Sequence, residues 1–238
     1  MKTLVIVATY NERENLEALA REVLLSPVAP DLLVVDDNSP DGTGQLADRL
    51  AARDPRVHVI HRPGKLGLGS AALAGLRFAA GRGYDFAVPM DADFSHHPRY
   101  LPALVDAMDA LDVAIGSRYV PGGGVANRSF GRRLFSRLAN AYARLCLGLS
   151  VRDCSGSFRC YRLAPMKAAV LDRVASSGYA YLEEILFHCQ SAGMRLGEIP
   201  ILFEDRLAGR SKASFAEVLG VFRMGVRILF ERIRRPRR

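Results

Sequence analysis

Short apolar runs alternate with amphipathic stretches along the first half of the chain. Thr3-Leu4-Val5-Ile6-Val7-Ala8 is a continuous β-branched run, the pattern of a strand buried on both faces. Leu16, Leu19, Ala20 and Val23 recur at helical spacing and predict a helix over 13–25. Residues 32–35 read as a second buried strand, 43–53 as a helix, 57–60 as a third strand and 68–82 as an Ala-rich helix. Phe86-Ala87-Val88 opens a fourth strand that ends at Asp91-Ala92-Asp93; 99–110 reads as a helix and 113–115 as a strand. Such alternation implies right-handed crossovers and a mostly parallel sheet with helices on both faces, a Rossmann-like α/β fold.

The second half changes character. Leu134, Phe135, Leu138, Ala139, Tyr142, Leu145, Cys146 and Leu149 form an amphipathic pattern over 132–149, followed by a helix at 180–192 and a strand at 196–201. A last long helix is expected over 215–234, opened by the capping box Ser214-x-x-Glu217. Phe215, Val218, Phe222, Val226, Leu229 and Ile233 form its apolar stripe, and arginines hold the other side. This divides the chain into a body over 1–213 and an Arg-rich amphipathic helix over 214–238.

Composition narrows the class. At 238 residues, 49% hydrophobic and 24% charged, the chain can bury about 70% of its unfolded surface without disulfide or metal staples. Cys146, Cys154, Cys160 and Cys189 form no C-x-x-C pair, which speaks for inert thiols in a reducing compartment. The apolar start at Thr3 is stopped too soon, at Asn11-Glu12, for a signal peptide, and no uncharged run approaches the ~20 residues of a membrane span. The net charge of +8 is local: residues 223–238 carry seven arginines and one acid. A broad nucleic-acid surface is therefore a poor reading, and a local anionic partner for the tail a better one.

In parallel sheets ligands bind outside the carboxyl ends of the strands. Polar residues cluster at those ends: Thr9-Tyr10-Asn11-Glu12, Asp36-Asp37-Asn38-Ser39 and Asp91-Ala92-Asp93. Two carboxylates at i and i+2 of an extended chain project the same way and can share a hard divalent ion with a diphosphate. Asp36 and Asp37 are acceptors placed for a base or ribose hydroxyls, with Thr43 a helix cap beyond Asp41-Gly42. Gly67-Leu68-Gly69-Ser70-Ala71-Ala72 mimics a dinucleotide fingerprint, but it follows the third strand rather than the first, so tight helix packing is the expected job. His96 and His97 are expected to be structural. Basic residues gather at Arg118, at Arg132-Arg133 and in Arg206-x-x-Gly209-x-Ser211-Lys212, where guanidinium forks suit phosphates.

Together these motifs resemble family 2 glycosyltransferases of the GT-A type, and within them the polyprenyl-phosphate (dolichyl-phosphate) mannosyltransferases. The resemblance runs from Thr9 to about Lys212, through Ala8-Thr9-Tyr10-Asn11-Glu12, Asp36-Asp37-Asn38-Ser39-Pro40-Asp41-Gly42-Thr43, Met90-Asp91-Ala92-Asp93-Phe94-Ser95-His96-His97-Pro98, Gly116-Ser117-Arg118-Tyr119 and Arg206-Leu207-Ala208-Gly209-Arg210-Ser211-Lys212. It implies transfer of mannose from GDP-mannose to a polyprenyl (dolichyl) phosphate with inversion, a sibling enzyme using glucose or a non-catalytic binding subunit being the alternatives. It further implies that Ala8, Tyr10, Glu12, Val35, Asp36, Asp37, Ala92, Arg206 and Lys212 surround the nucleotide-sugar. Asp91, Asp93 and Arg118 would be the catalytic set, with Mg²⁺ or Mn²⁺ on Asp91, Asp93 and Ser95, and Arg118, Arg132 and Ser136 on the lipid phosphate. Ala8 replaces the usual proline, and Ser95 replaces a glutamine that some members use as a metal ligand, so its ligation is open, as is the choice between Arg132 and Arg133. The amphipathic helices then read as a peripheral anchor on the cytosolic face of a membrane, with a membrane-anchoring partner subunit possible and no nucleic acid involved.

Overall fold

The computed structural model describes residues 1–126 and 130–204, together with Gly225. The first half follows the expected alternation: β1 (Thr3–Thr9), α1 (Arg13–Leu24), β2 (Asp31–Asp36), α2 (Thr43–Arg53), β3 (Val57–His61), α3 (Leu68–Gly81), β4 (Phe86–Asp91), α4 (Leu101–Asp106) and β5 (Val113–Ser117). Then come β6 (Gly124–Ala126), α5 (Phe130–Leu147), β7 (Arg159–Arg162), α6 (Leu163–Ala169), α7 (Tyr181–Ser191), β8 (Leu196–Pro200) and β9 (Leu202–Glu204). The last helix expected over 215–234 lies, except for Gly225, outside the described residues, as do Arg206 and Lys212.

Seven strands form one sheet in the order β3-β2-β1-β4-β7-β5-β8, and β6 pairs with β9 in a small second sheet. Every pairing is parallel except those of β7, which runs antiparallel between β4 and β5. Sequence alternation carries the layering. Leu4 and Ile6 of β1 and Leu33 and Val35 of β2 pack into the core shared with α3, α6 and α7, whereas Val5, Val7, Leu32 and Val34 pack against α1, α2 and α4. This is the doubly covered sheet that near-continuous apolar strands require.

Two local expectations are corrected, and one strand was not foreseen. The helix expected over 99–110 is a short α4 between two 3-10 turns, Pro98–Tyr100 and Ala107–Asp109. Pro98 and Pro102 lack the N–H that a continuous helix would use. The cap of α2 is Gly42 at φ 89° rather than Thr43, and Asp41 Oδ1 accepts the Thr43 amide at 3.0 Å. Strand β7 has no apolar run to announce it. Its Arg159 is buried, with the guanidinium donating to Cys154 O at 2.6 Å, Leu182 O at 2.7 Å and the Tyr161 hydroxyl at 3.2 Å.

The glycine-rich start of α3 is a packing device, and its neighbour is the loop before α7. A Cβ at Gly67 would lie 2.6 Å from Ser177 O, and one at Gly69 2.8 Å from both Gly178 O and Tyr181 Cβ. Gly69→Ala should therefore destabilise the protein by about 1–3 kcal/mol, through forced separation of α3 from that loop. Gly81→Ala, with nothing within 4 Å, should be neutral or slightly stabilising. Urea midpoints for the two variants check the contrast.

Candidate active site

The carboxyl ends of β1, β2, β4 and β5 meet at one edge of the sheet. Register places Ala8 between Val35 and Asp91, and Thr9 opposite Asp36. The first two loops are sewn together there: Asn11 N donates to Ser39 Oγ at 3.1 Å, Glu12 N to Thr43 Oγ1 at 3.0 Å and Arg13 N to Asp41 Oδ2 at 3.2 Å. Asn11 and Asn38 hold positive φ, 60° and 57°, a conformation asparagine tolerates. Tyr10 stands at the rim with Lys65 Nζ 4.7 Å from its ring centroid, and the buried Glu12 accepts from Asn15 at 3.0 Å.

Asp36 and Asp37 are both buried, with partners inside the protein. Asp36 accepts from the hydroxyls of Thr9 at 2.9 Å and Ser39 at 2.5 Å and from the Ser39 amide at 3.0 Å. Asp37 forms a fork with Arg62, Nε to Oδ1 at 2.5 Å and Nη2 to Oδ2 at 2.6 Å. Both carboxylates are buried and shape the loop. Arg62, which ties Asp37 to Ser70 of α3 at 2.7 Å, is a partner that spacing alone did not single out.

Asp91 and Asp93 lie at and just beyond the end of β4, each half-buried, flanking the buried Ala92. Ser157 donates to Asp91 Oδ1 at 2.9 Å, and the Ser95 amide donates to Asp93 Oδ1 at 3.0 Å. Ser95 thus orients Asp93 through its main chain. His96 is structural, as expected. It is buried, stacks on Phe158 at 5.2 Å and 20°, meets Phe203 edge-on at 5.2 Å, and lies 3.4 Å from Asp91 Oδ2. His97 accepts the Arg99 amide at 3.2 Å and pairs with Glu22 at 3.6 Å.

Arg118, just past β5, is held by a residue that sequence reasoning missed. Its Nε and Nη2 donate to the two oxygens of Asp153 at 2.8 and 2.7 Å, its amide to the same carboxylate at 3.0 Å, and Nη2 also to Ser155 Oγ at 2.9 Å. Phe203 and Tyr119 cover the guanidinium at 5.4 and 5.2 Å. Burial would depress the guanidinium and raise the carboxyl; the charge of each on the other, with these hydrogen bonds, reverses both effects. Asn140 of α5 donates to Ser155 Oγ at 3.0 Å, and Ser136 Oγ lies 2.8 Å from the Tyr119 hydroxyl. The segment Asp153-Cys154-Ser155-Gly156-Ser157 therefore joins Asp91, Arg118 and α5, bringing Ser136 to the same edge. Its only signal in sequence was a run of small polar residues. The side chains of Arg132 and Arg133 lie outside the described residues.

Beneath this segment Glu183, in the first turn of α7, is buried with Oε2 lacking a hydrogen-bond partner among the described residues. Burial pushes its carboxyl up to about 7, against the pull of Arg159. The folded state thus keeps a proton that the unfolded chain releases near 4.5. The stabilisation is complete below that point and lost as pH rises through 7, on the order of 3 kcal/mol. Glu183→Gln should flatten this decline, which urea unfolding at stepped pH would show; parallel pH profiles for variant and wild type would contradict it. The buried thiols fit the inert reading: burial raises Cys154 and Cys189 to about 12. Cys146 is only half-buried.

Two carboxylates at one strand end suit a small hard cation that keeps waters and takes its remaining ligands from a diphosphate. Among the described residues no third His, Cys, Asp or Glu joins them to complete an all-protein cage. Nor is any described helix long and apolar enough to cross a membrane.

Known proteins resemble this chain in sequence and in fold. A polyprenol monophosphomannose synthase of Mycolicibacterium smegmatis is 47% identical over 219 residues, 91% of this chain and 83% of the relative. An undecaprenyl-phosphate mannosyltransferase of Micrococcus luteus is 42% identical over 238 residues, 98% of each chain. Among solved structures, the glucosyl-3-phosphoglycerate synthase of Mycobacterium tuberculosis, with Mn²⁺, UDP and glucosyl-3-phosphoglycerate, superposes with a TM-score of 0.65 at 20% identity, covering 99% of this chain and 81% of that one. A mannosyltransferase of Pyrobaculum calidifontis with GDP-Man and Mn²⁺ gives a TM-score of 0.62 at 17% identity, covering 99% and 65%. The model of glycosyl transferase family 2 matches residues 4–168, and with these relatives it establishes that the chain belongs to that family.

Proposed function

We propose that this glycosyltransferase moves mannose from GDP-mannose to a polyprenyl phosphate in a divalent-metal-dependent, inverting reaction. The observation that supports the reading is the Asp153–Ser157 segment, which ties the Asp91 carboxylate to the Arg118 guanidinium and so brings a carboxylate suited to a metal and a guanidinium suited to a phosphate to one sheet edge. The relatives named for polyprenyl-phosphate mannosyl transfer support the sugar and the acceptor. The neighbours solved with Mn²⁺ support the metal.

The chemistry needs no catalytic triad. A phosphate monoester has its second pKa near 6 and is already an anionic nucleophile at pH 7. The task is to bring two anions together, by positioning and electrostatic stabilisation. Asp91 and Asp93 would hold Mg²⁺ or Mn²⁺, which supplies charge neutralisation for the departing diphosphate. Arg118 turns Nε and Nη2 toward Asp153 and Ser155, leaving Nη1 as the end of its fork for the acceptor phosphate. Ser136, Arg132 or Arg133, Arg206 and Lys212 would add donors from α5 and the segment beyond β9. Tyr10, Glu12, Ala8, Val35 and Ala92 frame the nucleotide, with Asp36 and Asp37 shaping its loop. The protein would work peripherally at the cytosolic face of a membrane, where the lipid acceptor resides.

A transfer assay with purified protein, Mg²⁺ or Mn²⁺, polyprenyl phosphate, and labelled GDP-mannose or UDP-glucose in parallel tests this reading. Mannose should pass into the organic phase. Transfer of glucose alone would move the substrate to the sibling activity, and label left in water with both donors would reject an enzymatic role.

A further inference from the structure

Beside the acceptor edge lies a second basic feature that the reaction does not use. Tyr119, Arg137, Asn140, Ala141, Arg144 and Arg152 line a cavity of about 210 Å³ between α5 and the loop that follows it. Arg137 and Arg144 stand two turns apart on α5, and Arg152 faces them from the loop. Several arginines elsewhere have acidic partners: Arg56 has Asp54, Arg62 has Asp37, Arg118 has Asp153, and Arg162 and Arg195 share Asp112. The guanidiniums of Arg137, Arg144 and Arg152 have none among the described residues, and Arg144 Nε is sealed from solvent without a partner. The nearby Glu198 accepts from the main-chain amides of Arg152 and Asp153 at 2.8 and 2.9 Å rather than from a guanidinium. Three converging cations with one orphaned buried N–H favour an anion with several acceptor oxygens.

The neighbouring surface identifies the source of that anion. Leu138 and Leu145, each next in sequence to a cavity arginine, are 61% and 83% exposed. A free phosphate would leave both leucines in water, whereas a bilayer satisfies the leucines and the arginines together. We propose that the cavity seats the phosphate of an anionic phospholipid headgroup, with Leu138 and Leu145 entering the acyl boundary. The inference rests on the reading that the enzyme works at a membrane, and it adds the lipid class and the residues that select it. Tyr119 touches Ser136, and Asn140 touches Ser155 beside Arg118, so the bound headgroup would lie next to the acceptor phosphate.

Flotation of the full-length protein with vesicles of phosphatidylcholine, alone or mixed with phosphatidylglycerol, tests the site. Wild type should prefer the mixed vesicles, and the Arg137→Ala/Arg144→Ala/Arg152→Ala variant should lose about a hundredfold of that partitioning, roughly fivefold for each arginine. Lysine at the three positions should restore part of it. Unchanged partitioning of the alanine variant, equal binding of wild type to both vesicles, or no binding to either overturns the proposal; the first result would hand the cavity to another part of this chain. Should the triple variant fail to fold, Arg137→Glu, at an exposed position, should weaken binding to the mixed vesicles alone. Transfer to a short-chain, water-soluble polyprenyl phosphate separates the two readings. It should be unchanged in the alanine variant, and its absence from wild type that still selects anionic vesicles would reject the function while keeping the lipid site.

Discussion

Asp93→Ala should fold normally and lose mannosyl transfer by on the order of 10³, the several kcal/mol that a metal's charge contributes to a transition state. Asp93 is chosen over Asp91 because Asp91 is tied to the segment that holds Arg118. Asp91 also accepts from Ser157 and contacts His96, so its loss would loosen the segment that holds Arg118. Asp93 lies beyond the strand, where it accepts the Ser95 amide at 3.0 Å. Removing one of two neighbouring carboxylates also relieves like-charge repulsion in the metal-free protein, so stability should hold or rise slightly. Calorimetric titration with Mn²⁺ should show weakened binding in the variant, and a chelator should reduce wild type to the same low activity. Transfer by Asp93→Ala at the wild-type rate, with unaltered Mn²⁺ binding, would remove the metal from the scheme.

The second large effect is on stability. Asp153→Ala should cost about 3–5 kcal/mol, because it strands a guanidinium of which only 8% is exposed, with its countercharge gone. The double variant Arg118→Met/Asp153→Leu should recover most of that loss, since a buried ion pair replaced by apolar groups of similar volume is often neutral. Its transfer activity should nonetheless be abolished, as the proposed role of Arg118 at the acceptor phosphate requires. Urea unfolding of Arg118→Met, Asp153→Leu and the double variant closes the cycle. A double variant no more stable than Asp153→Ala would mean that the segment 153–157 depends on its other bonds, to Glu198 and Asn140, rather than on this pair.

Much of this architecture is legible in the chain. The runs at Thr3–Thr9 and Asp31–Asp36 are apolar enough to be strands and nothing else, and the helices between them carry their own periodicity. The polar residues that end those strands fall at the edge where parallel sheets bind ligands, so the strand-end motifs are local facts of sequence. Strand β7 is different. An Arg-Cys-Tyr-Arg segment becomes a central strand because Leu182 O, Cys154 O and the Tyr161 hydroxyl, all supplied by folding, take up the charge of Arg159. Propensity cannot see such compensation.

The same division runs through the site. Residue type and spacing singled out Asp91, Asp93 and Arg118, because paired carboxylates and a strand-end arginine state their chemistry locally. Which of their atoms remain available was settled by contacts of long sequence separation: Ser157 on Asp91 from 66 residues away, and Asp153 on Arg118 from 35. Asp36 and Asp37 likewise gain partners only in the fold, from Thr9, Ser39 and Arg62. A side chain's chemistry is written in the sequence; its partners depend on the burial and charge compensation that arise only when distant segments pack together.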